Sequence, residues 1–137
     1  MLKLESYNPE AVIVNYYSSK DYMGGHLDDG EPDQVHPILS FSLGLSCIFM
    51  IGGTSKTVKP LSVLLESGDV CVMNKYSRIC YHGVPKIIPG SFQLDEDSEL
   101  GIINSEQHVK GRNTYKHAIN YLKENRINFN FRQVVMN

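Results

Sequence analysis

Two histidines and one aspartate of this chain have the types and the spacing of metal ligands. His26 and Asp28 are two residues apart, and His82 follows much later in Tyr81-His82-Gly83. Two imidazoles and one carboxylate can occupy one face of an iron(II) ion and leave three positions open, as in non-haem oxygenases. The spacing alone is weak evidence, because chance often produces His-x-Asp in a chain with 5 His and 15 acidic residues. The alternatives are a loop histidine at position 26 and a core histidine at position 82.

A segment near the end of the chain alternates between polar and apolar residues. As a strand, it would place Arg126, Asn128, Asn130 and Arg132 on one face. Strand geometry separates the backbones of Arg126 and Arg132 by about 20 Å. Each arginine side chain reaches inward by roughly 6 Å, which leaves a gap on the order of 8 Å between the two guanidinium groups. A short dicarboxylate such as 2-oxoglutarate would span that gap, with one guanidinium on each carboxylate. The alternative is an edge strand with a hydrated face.

The first predicted strand carries two further polar side chains on one face. Asn15 and Tyr17 alternate with apolar neighbours in the same way. Each could contribute a neutral hydrogen-bond donor to the same ligand.

Composition places these residues in a single ordinary globular domain, 1–137. The chain has 137 residues, 42% of them hydrophobic and 20% charged, with a net charge of −2. That charge excludes a strongly basic nucleic-acid footprint, although it allows a local patch. The three cysteines form no Cys-x-x-Cys motif, so we expect free thiols in a reducing compartment inside the cell, the cytoplasm or the nucleus. No apolar run approaches the roughly 20 residues of a membrane span, so no membrane partner is expected.

The pattern along the chain predicts many short strands, one helix and a long loop around His26. Such a series is typical of a sandwich or jelly roll. The helix is predicted to begin after a cap at Asn113-Thr114 and to bury Tyr115, Ala118, Ile119 and Leu122. Residues 86–112 are predicted to be a loop insertion. The predicted strands are 11–17, 37–43, 46–51, 61–65, 70–73, 79–84 and 126–135, and the predicted loop is 22–34.

Together these motifs resemble the AlkB family of iron(II)- and 2-oxoglutarate-dependent dioxygenases over residues 11–135. The motifs that carry the resemblance are Asn15-x-Tyr17, His26-x-Asp28, Pro37-Ile38-Leu39-Ser40-Phe41-Ser42, Ser67-Gly68-Asp69, Ser77-Arg78 with Tyr81-His82-Gly83, and Arg126-x-Asn128-x-x-x-Arg132-Gln133. The chain is most similar to the AlkB homologue 1 branch, whose character is seen in Asn15-Tyr16-Tyr17, Leu39-Ser40-Phe41-Ser42, Ile51-Gly52-Gly53 and Tyr121-Leu122-Lys123.

The resemblance implies a mainly β, double-stranded β-helix (jelly roll) with a supporting α-helix, and it implies a role for each site residue. The metal ligands would be His26, Asp28 and His82. Arg126 would bind the distal carboxylate of 2-oxoglutarate, helped by Tyr17 and Asn128. Arg132, with Asn15, would hold the carboxylate near the metal. The implied cofactors are Fe(II), 2-oxoglutarate as co-substrate, and O2.

The implied reaction is oxidative demethylation of N-methylated bases in tRNA or DNA. Chemistry on a base requires that the base be flipped out or single-stranded. Only 14 residues precede Asn15, so we expect the substrate lid of the family to be missing or minimal. Gly30 stands where some base-repairing members carry an acid.

The sequence leaves open two other functions and the role of Arg78. The same core could hydroxylate a protein or a small molecule, or it could be a catalytically inactive binding module. Arg78 matches a recurrent family position and could form either a structural ion pair or a substrate contact.

Overall fold

The fold consists of two four-stranded antiparallel sheets that face each other, as expected for a jelly roll. The structure is a computed structural model that describes residues 7–94 and 112–135, without the side chains of residues 112–114. The sheet orders are β1-β8-β3-β6 and β2-β7-β4-β5. The strands are β1 Ala11–Ser18, β2 Met23–His26, β3 Ile38–Gly44, β4 Cys47–Ile51, β5 Leu61–Leu65, β6 Val70–Met73, β7 His82–Ile87 and β8 Asn125–Arg132.

The apolar core lies between the two sheets and fills part of the space between them. Its members come from strands of both sheets and from the β3–β4 turn, namely Tyr17, Ile38, Leu45, Cys47, Phe49, Leu65, Met73, Val84 and Ile87. Cys47, Cys71 and Cys80 are free, as predicted, and burial raises the pKa of the Cys47 and Cys71 thiols. In the described part of the chain, no helix has the length and apolar character that crossing a membrane requires.

Strand β3 explains why part of the interior is polar. Its sequence alternates so that Ser40 and Ser42 are buried, whereas Phe41 and Leu43 are exposed on the outer face. A half-buried strand usually turns its apolar residues inward, so this alternation is reversed. The inward hydroxyls therefore offer hydrogen-bond partners to the neighbouring strand β8.

One helix, α1 (Arg112–Glu124), packs beside β3 and β8. Tyr115, Ile119 and Leu122 are half-buried as predicted, but Ala118 is exposed. The predicted cap at Asn113-Thr114 is wrong, because the helix already begins at Arg112.

Gly44 lets the β3–β4 turn lie against the start of β8. It has φ +79°, and a Cβ there would lie 2.2 Å from the carbonyl oxygen of Asn125. Only glycine tolerates both conditions. The close approach places the backbone of Leu45 within reach of Arg126.

The predicted boundaries differ from the structure around both histidine segments. Residues 23–26 form β2 rather than loop, because pairing with β7 stabilises a strand of low intrinsic propensity. The strand predicted at 79–84 is instead β7, which starts at His82. Before it lies a 3₁₀ helix, Lys75–Ile79, capped by Asn74. The last strand ends at Arg132 rather than at residue 135.

The structure describes only part of the predicted insertion at 86–112 and assigns both of its ends to regular elements. Lys86 and Ile87 belong to β7, and Arg112 begins α1. Residues 95–111 lie outside the described residues, so the centre of the insertion stays a prediction.

Candidate metal centre and its cavity

The three predicted metal ligands lie together at one end of the β2–β7 pair. His26 ends β2 and is opposite His82, the first residue of β7. Asp28 follows β2 by two residues, and its Oδ1 lies 3.7 Å from Nε2 of His26. Its Oδ2 lies 3.4 Å from Nε2 of His82. The ligand atoms that these residues offer all lie within 4.8 Å of one another, which is close enough for one ion.

A β-bulge turns His26 toward the interior. Met23 pairs with Val84 and His26 pairs with His82, so β2 has one residue more than β7 over this stretch. Residues three apart in a regular strand point to opposite faces, but here Met23 and His26 line the same cavity. A Cβ on Gly83 would lie 2.8 Å from the carbonyl oxygen of Met23, so the glycine after His82 permits this close pairing.

Backbone carbonyls fix the orientation of both imidazoles. Nδ1 of His26 lies 3.0 Å from the oxygen of Gly24, and Nδ1 of His82 lies 3.0 Å from the oxygen of Cys80. A carbonyl only accepts, so each Nδ1 carries the proton and donates it. Each Nε2 therefore keeps its lone pair on the side of Asp28, as metal coordination requires.

Asp28 is held in its charged form. Burial acts to raise the pKa of this carboxyl, but the nearness of His82 and the charge of Arg132 outweigh burial and bring the pKa down to about 2. A carboxylate with two neutral imidazoles is a donor set that suits iron(II).

A cavity of about 220 Å³ extends from this centre between the two sheets. The structure brings all eight predicted site residues to its wall, namely Asn15, Tyr17, His26, Asp28, His82, Arg126, Asn128 and Arg132. The inward face of β8 was predicted from its alternation, and Asn130 also lines the cavity on that face.

Arg126 is a buried cation for which the described residues provide no carboxylate. Its side chain is 1% exposed and donates to Oγ of Ser42 at 2.8 Å and to the oxygen of Leu45 at 3.4 Å. Its buried Nε has no hydrogen-bond partner there. A buried charge is costly unless it is paired, so this end of the cavity suits an anionic group.

Tyr17, Asn15 and Asn128 line the same cavity as Arg126 and the metal centre. Tyr17 is opposite Arg126 in the β1–β8 register, and burial raises the pKa of its phenol although Arg126 opposes that rise. Asn128 donates to Oγ of Ser40 at 2.7 Å, and Asn15 donates to Oδ1 of Asn128 at 3.4 Å. Asn15 thus lies opposite Asn128 in mid-strand, four residues from Arg132.

Arg132 lies at the metal end of the cavity, where it already has acidic partners. Its Nη2 lies 2.9 Å from Oδ2 of Asp28, and its Nη1 donates to Glu31. Its Nε is buried without a hydrogen-bond partner among the described residues. Unpaired donors on Arg126 and Arg132, both lining one cavity, fit a ligand with a carboxylate at each end.

Arg78 forms a structural ion pair, which favours that interpretation over a substrate contact. It is 1% exposed, it pairs with Glu31 at 3.2 Å, and it donates to the backbone oxygen of Asp28 at 2.5 Å. Glu31 was missed by the sequence analysis, which considered Gly30 instead. Glu31 could have been predicted from the need of a buried arginine for an acidic partner.

Comparison with known proteins agrees with this geometry. The model of the 2OG-Fe(II) oxygenase superfamily matches residues 1–132. The chain is 44% identical over 131 residues to the DNA N(6)-methyladenine demethylase ALKBH1A of Arabidopsis thaliana, covering 95% of this chain and 36% of that protein. It is 38% identical over 125 residues to the tRNA demethylase abh1 of Schizosaccharomyces pombe, covering 91% and 36%.

A solved structure shares the fold. The structure of OsALKBH1 superposes with a TM-score of 0.69 at 30% identity, covering 92% of this chain and 50% of that one. The chain spans 36% of the length of the two relatives named above.

The cofactors of the superfamily are Fe(II) and 2-oxoglutarate, with O2 as oxidant. The His-Asp-His group suits the iron, and the cavity with its unpaired guanidinium donors suits the keto acid. Since the family model covers nearly the whole chain and the relatives are AlkB homologues, this chain belongs to the 2OG-Fe(II) oxygenase superfamily and, within it, to the AlkB family.

Proposed function

We propose that residues 1–137 form the catalytic core of a dioxygenase that oxidatively demethylates N-methylated bases of nucleic acid, in tRNA or DNA. The observation that carries the proposal is that one cavity holds both a His-Asp-His group and a buried arginine, Arg126, with no carboxylate partner among the described residues. The names of the relatives support the substrate class, because they describe demethylases of DNA and of tRNA. An intracellular location, cytoplasmic or nuclear, accords with such substrates.

In the proposed site, the residues take the roles that the family resemblance implies. His26, Asp28 and His82 hold the metal through Nε2 and carboxylate atoms that already face one another. Arg126 binds the distal carboxylate of the co-substrate, and Tyr17 and Asn128 assist.

At the other end of the site, Arg132 holds the carboxylate next to the metal, and Asn15 lines the same cavity beside Asn128. Arg126 is 1% exposed, so water is excluded from the distal end of the keto acid.

When bound, the iron, 2-oxoglutarate and O2 supply the oxidation, which yields succinate and CO2 and hydroxylates the N-methyl group. The hydroxymethyl product then loses formaldehyde and leaves the unmethylated base. The chain's residues orient the reactants and hold the charges, so loss of Arg126 should weaken binding of the co-substrate more than binding of the metal.

We expect formaldehyde to be released from methylated oligonucleotides in the presence of Fe(II), 2-oxoglutarate and ascorbate. RNA with 1-methyladenine and single-stranded DNA with N(6)-methyladenine should be compared with unmethylated oligonucleotides of the same sequence. Formaldehyde should then appear with the methylated strands only, and succinate should rise by an equal amount above its uncoupled level.

Two other results would lead to the alternative functions. Succinate from uncoupled turnover, with no formaldehyde from either strand, would reject nucleic acid and favour hydroxylation of a protein or small molecule. No succinate under any condition would favour an inactive binding module.

A further inference from the structure

Two buried arginines hold the loop that carries Asp28. Arg78, in the 3₁₀ helix before β7, donates to the backbone oxygens of Asp28 at 2.5 Å and Asp33 at 3.3 Å. Arg132, at the end of β8, contacts the Asp28 carboxylate directly. The two arginines thus fix this loop from different elements of the fold.

Glu31 connects the two arginines. Its Oε1 accepts from Nη1 of Arg132, and its Oε2 lies 3.2 Å from Nη2 of Arg78. The Glu31 side chain is 11% exposed, so water screens these contacts little. One carboxylate therefore bridges the metal loop, β8 and the 3₁₀ helix.

The charges of this cluster balance only if Glu31 is counted. Arg78 and Arg132 bring two positive charges, and Asp28 and Glu31 bring two negative ones. Without Glu31, one positive charge would be in excess in a buried place, where unpaired charge is costly. The attraction of Arg132 would then fall on Asp28 alone.

Such a shift would matter because one oxygen of Asp28 faces both Arg132 and the metal-binding nitrogen of His82. Its Oδ2 lies 2.9 Å from Nη2 of Arg132 and 3.4 Å from Nε2 of His82. A carboxylate drawn further toward Arg132 is less available to a metal ion beside the histidines.

We propose that Glu31 is a positioning residue that shares Arg132 with Asp28 and so keeps the Asp28 carboxylate available to the metal. The proposal rests on the proposed metal centre and goes beyond it, because Glu31 touches neither the metal ligands' donor atoms nor, in the proposed roles, the co-substrate. Through Arg78, the same glutamate fixes the backbone of the loop from the other side.

Binding of Mn(II) to the full chain, without nucleic acid or turnover, tests this role. Glu31→Gln should weaken Mn(II) affinity by about 10- to 100-fold, the usual loss when an outer-shell partner of a metal ligand is removed. Glu66→Gln makes the same change of charge at an exposed turn and should leave the affinity unchanged. Unchanged affinity in Glu31→Gln would overturn the proposal.

The Arg132→Met background distinguishes positioning from a general loss of structure. With no arginine to compete for Asp28, Glu31→Gln should have a clearly smaller effect on Mn(II) affinity there. An equal effect in both backgrounds would overturn the proposal. Circular dichroism must show that the variants are folded. If Glu31→Gln is not folded, Glu31→Asp replaces it, since a side chain one methylene shorter cannot bridge both arginines, and wild-type affinity in that variant would also contradict the proposal.

His82→Ala separates this proposal from the proposed function. If the wild type binds Mn(II), His82→Ala does not, and Glu31→Gln binds as the wild type does, only the role of Glu31 fails. If the wild type binds no Mn(II), the metal centre fails and the role of Glu31 fails with it.

Discussion

Replacing His82 with alanine is expected to abolish succinate formation from 2-oxoglutarate. His82 is 7% exposed, and its Nδ1 is committed to the oxygen of Cys80, so its Nε2 is the atom left to bind metal. Its loss leaves a two-residue site. We expect the fall in metal affinity to exceed the roughly 10- to 100-fold that removal of an outer-shell partner causes.

The measurement is succinate released with Fe(II), 2-oxoglutarate and ascorbate, together with the affinity for Mn(II). His117→Ala is the matched control, because His117 is exposed on α1 and is not among the residues that line the cavity. Succinate formation by His82→Ala at the wild-type rate would contradict the assignment of His82.

Replacing Arg126 with alanine is expected to raise the KM for 2-oxoglutarate by about 30-fold or more. Truncating one partner of a buried, hydrogen-bonded charge pair costs at least about 2 kcal/mol, which corresponds to that factor. Arg126→Lys keeps the charge but loses the planar fork, so we expect it to recover only part of the affinity.

The KM for 2-oxoglutarate should be measured with Lys20→Ala, which removes an exposed cation, as the control. Mn(II) affinity should change much less in Arg126→Ala than in His82→Ala, since Arg126 lies at the far end of the cavity from the metal. A folded Arg126→Ala variant with an unchanged KM would refute the predicted role of Arg126.

Strand β8 shows what the sequence could predict. Its alternation of two follows from the geometry of any strand, so it correctly placed the two arginines and two asparagines on one face. Burial of that face could not be read from the alternation alone, because a hydrated edge has the same pattern. The structure shows that the face is buried, because the buried serines of β3 accept hydrogen bonds from Arg126 and Asn128.

Strand β2 and Glu31 show what local pattern could not predict. Glycine-rich residues 23–26 have little strand propensity, and β2 exists because it pairs with β7, whose sequence lies far along the chain. Glu31 meets Arg78 and Arg132 across 47 and 101 residues of sequence. Contacts at such separations depend on the topology of the two sheets rather than on neighbouring residues.

The most direct test of the central claim is a crystal structure of the chain with Mn(II) and 2-oxoglutarate. We predict one metal ion bound by His26, Asp28 and His82, with one carboxylate of 2-oxoglutarate at Arg126 and its keto-acid end at the metal. A metal ion bound elsewhere, or bound between the histidines with Asp28 remote from it, would contradict the account.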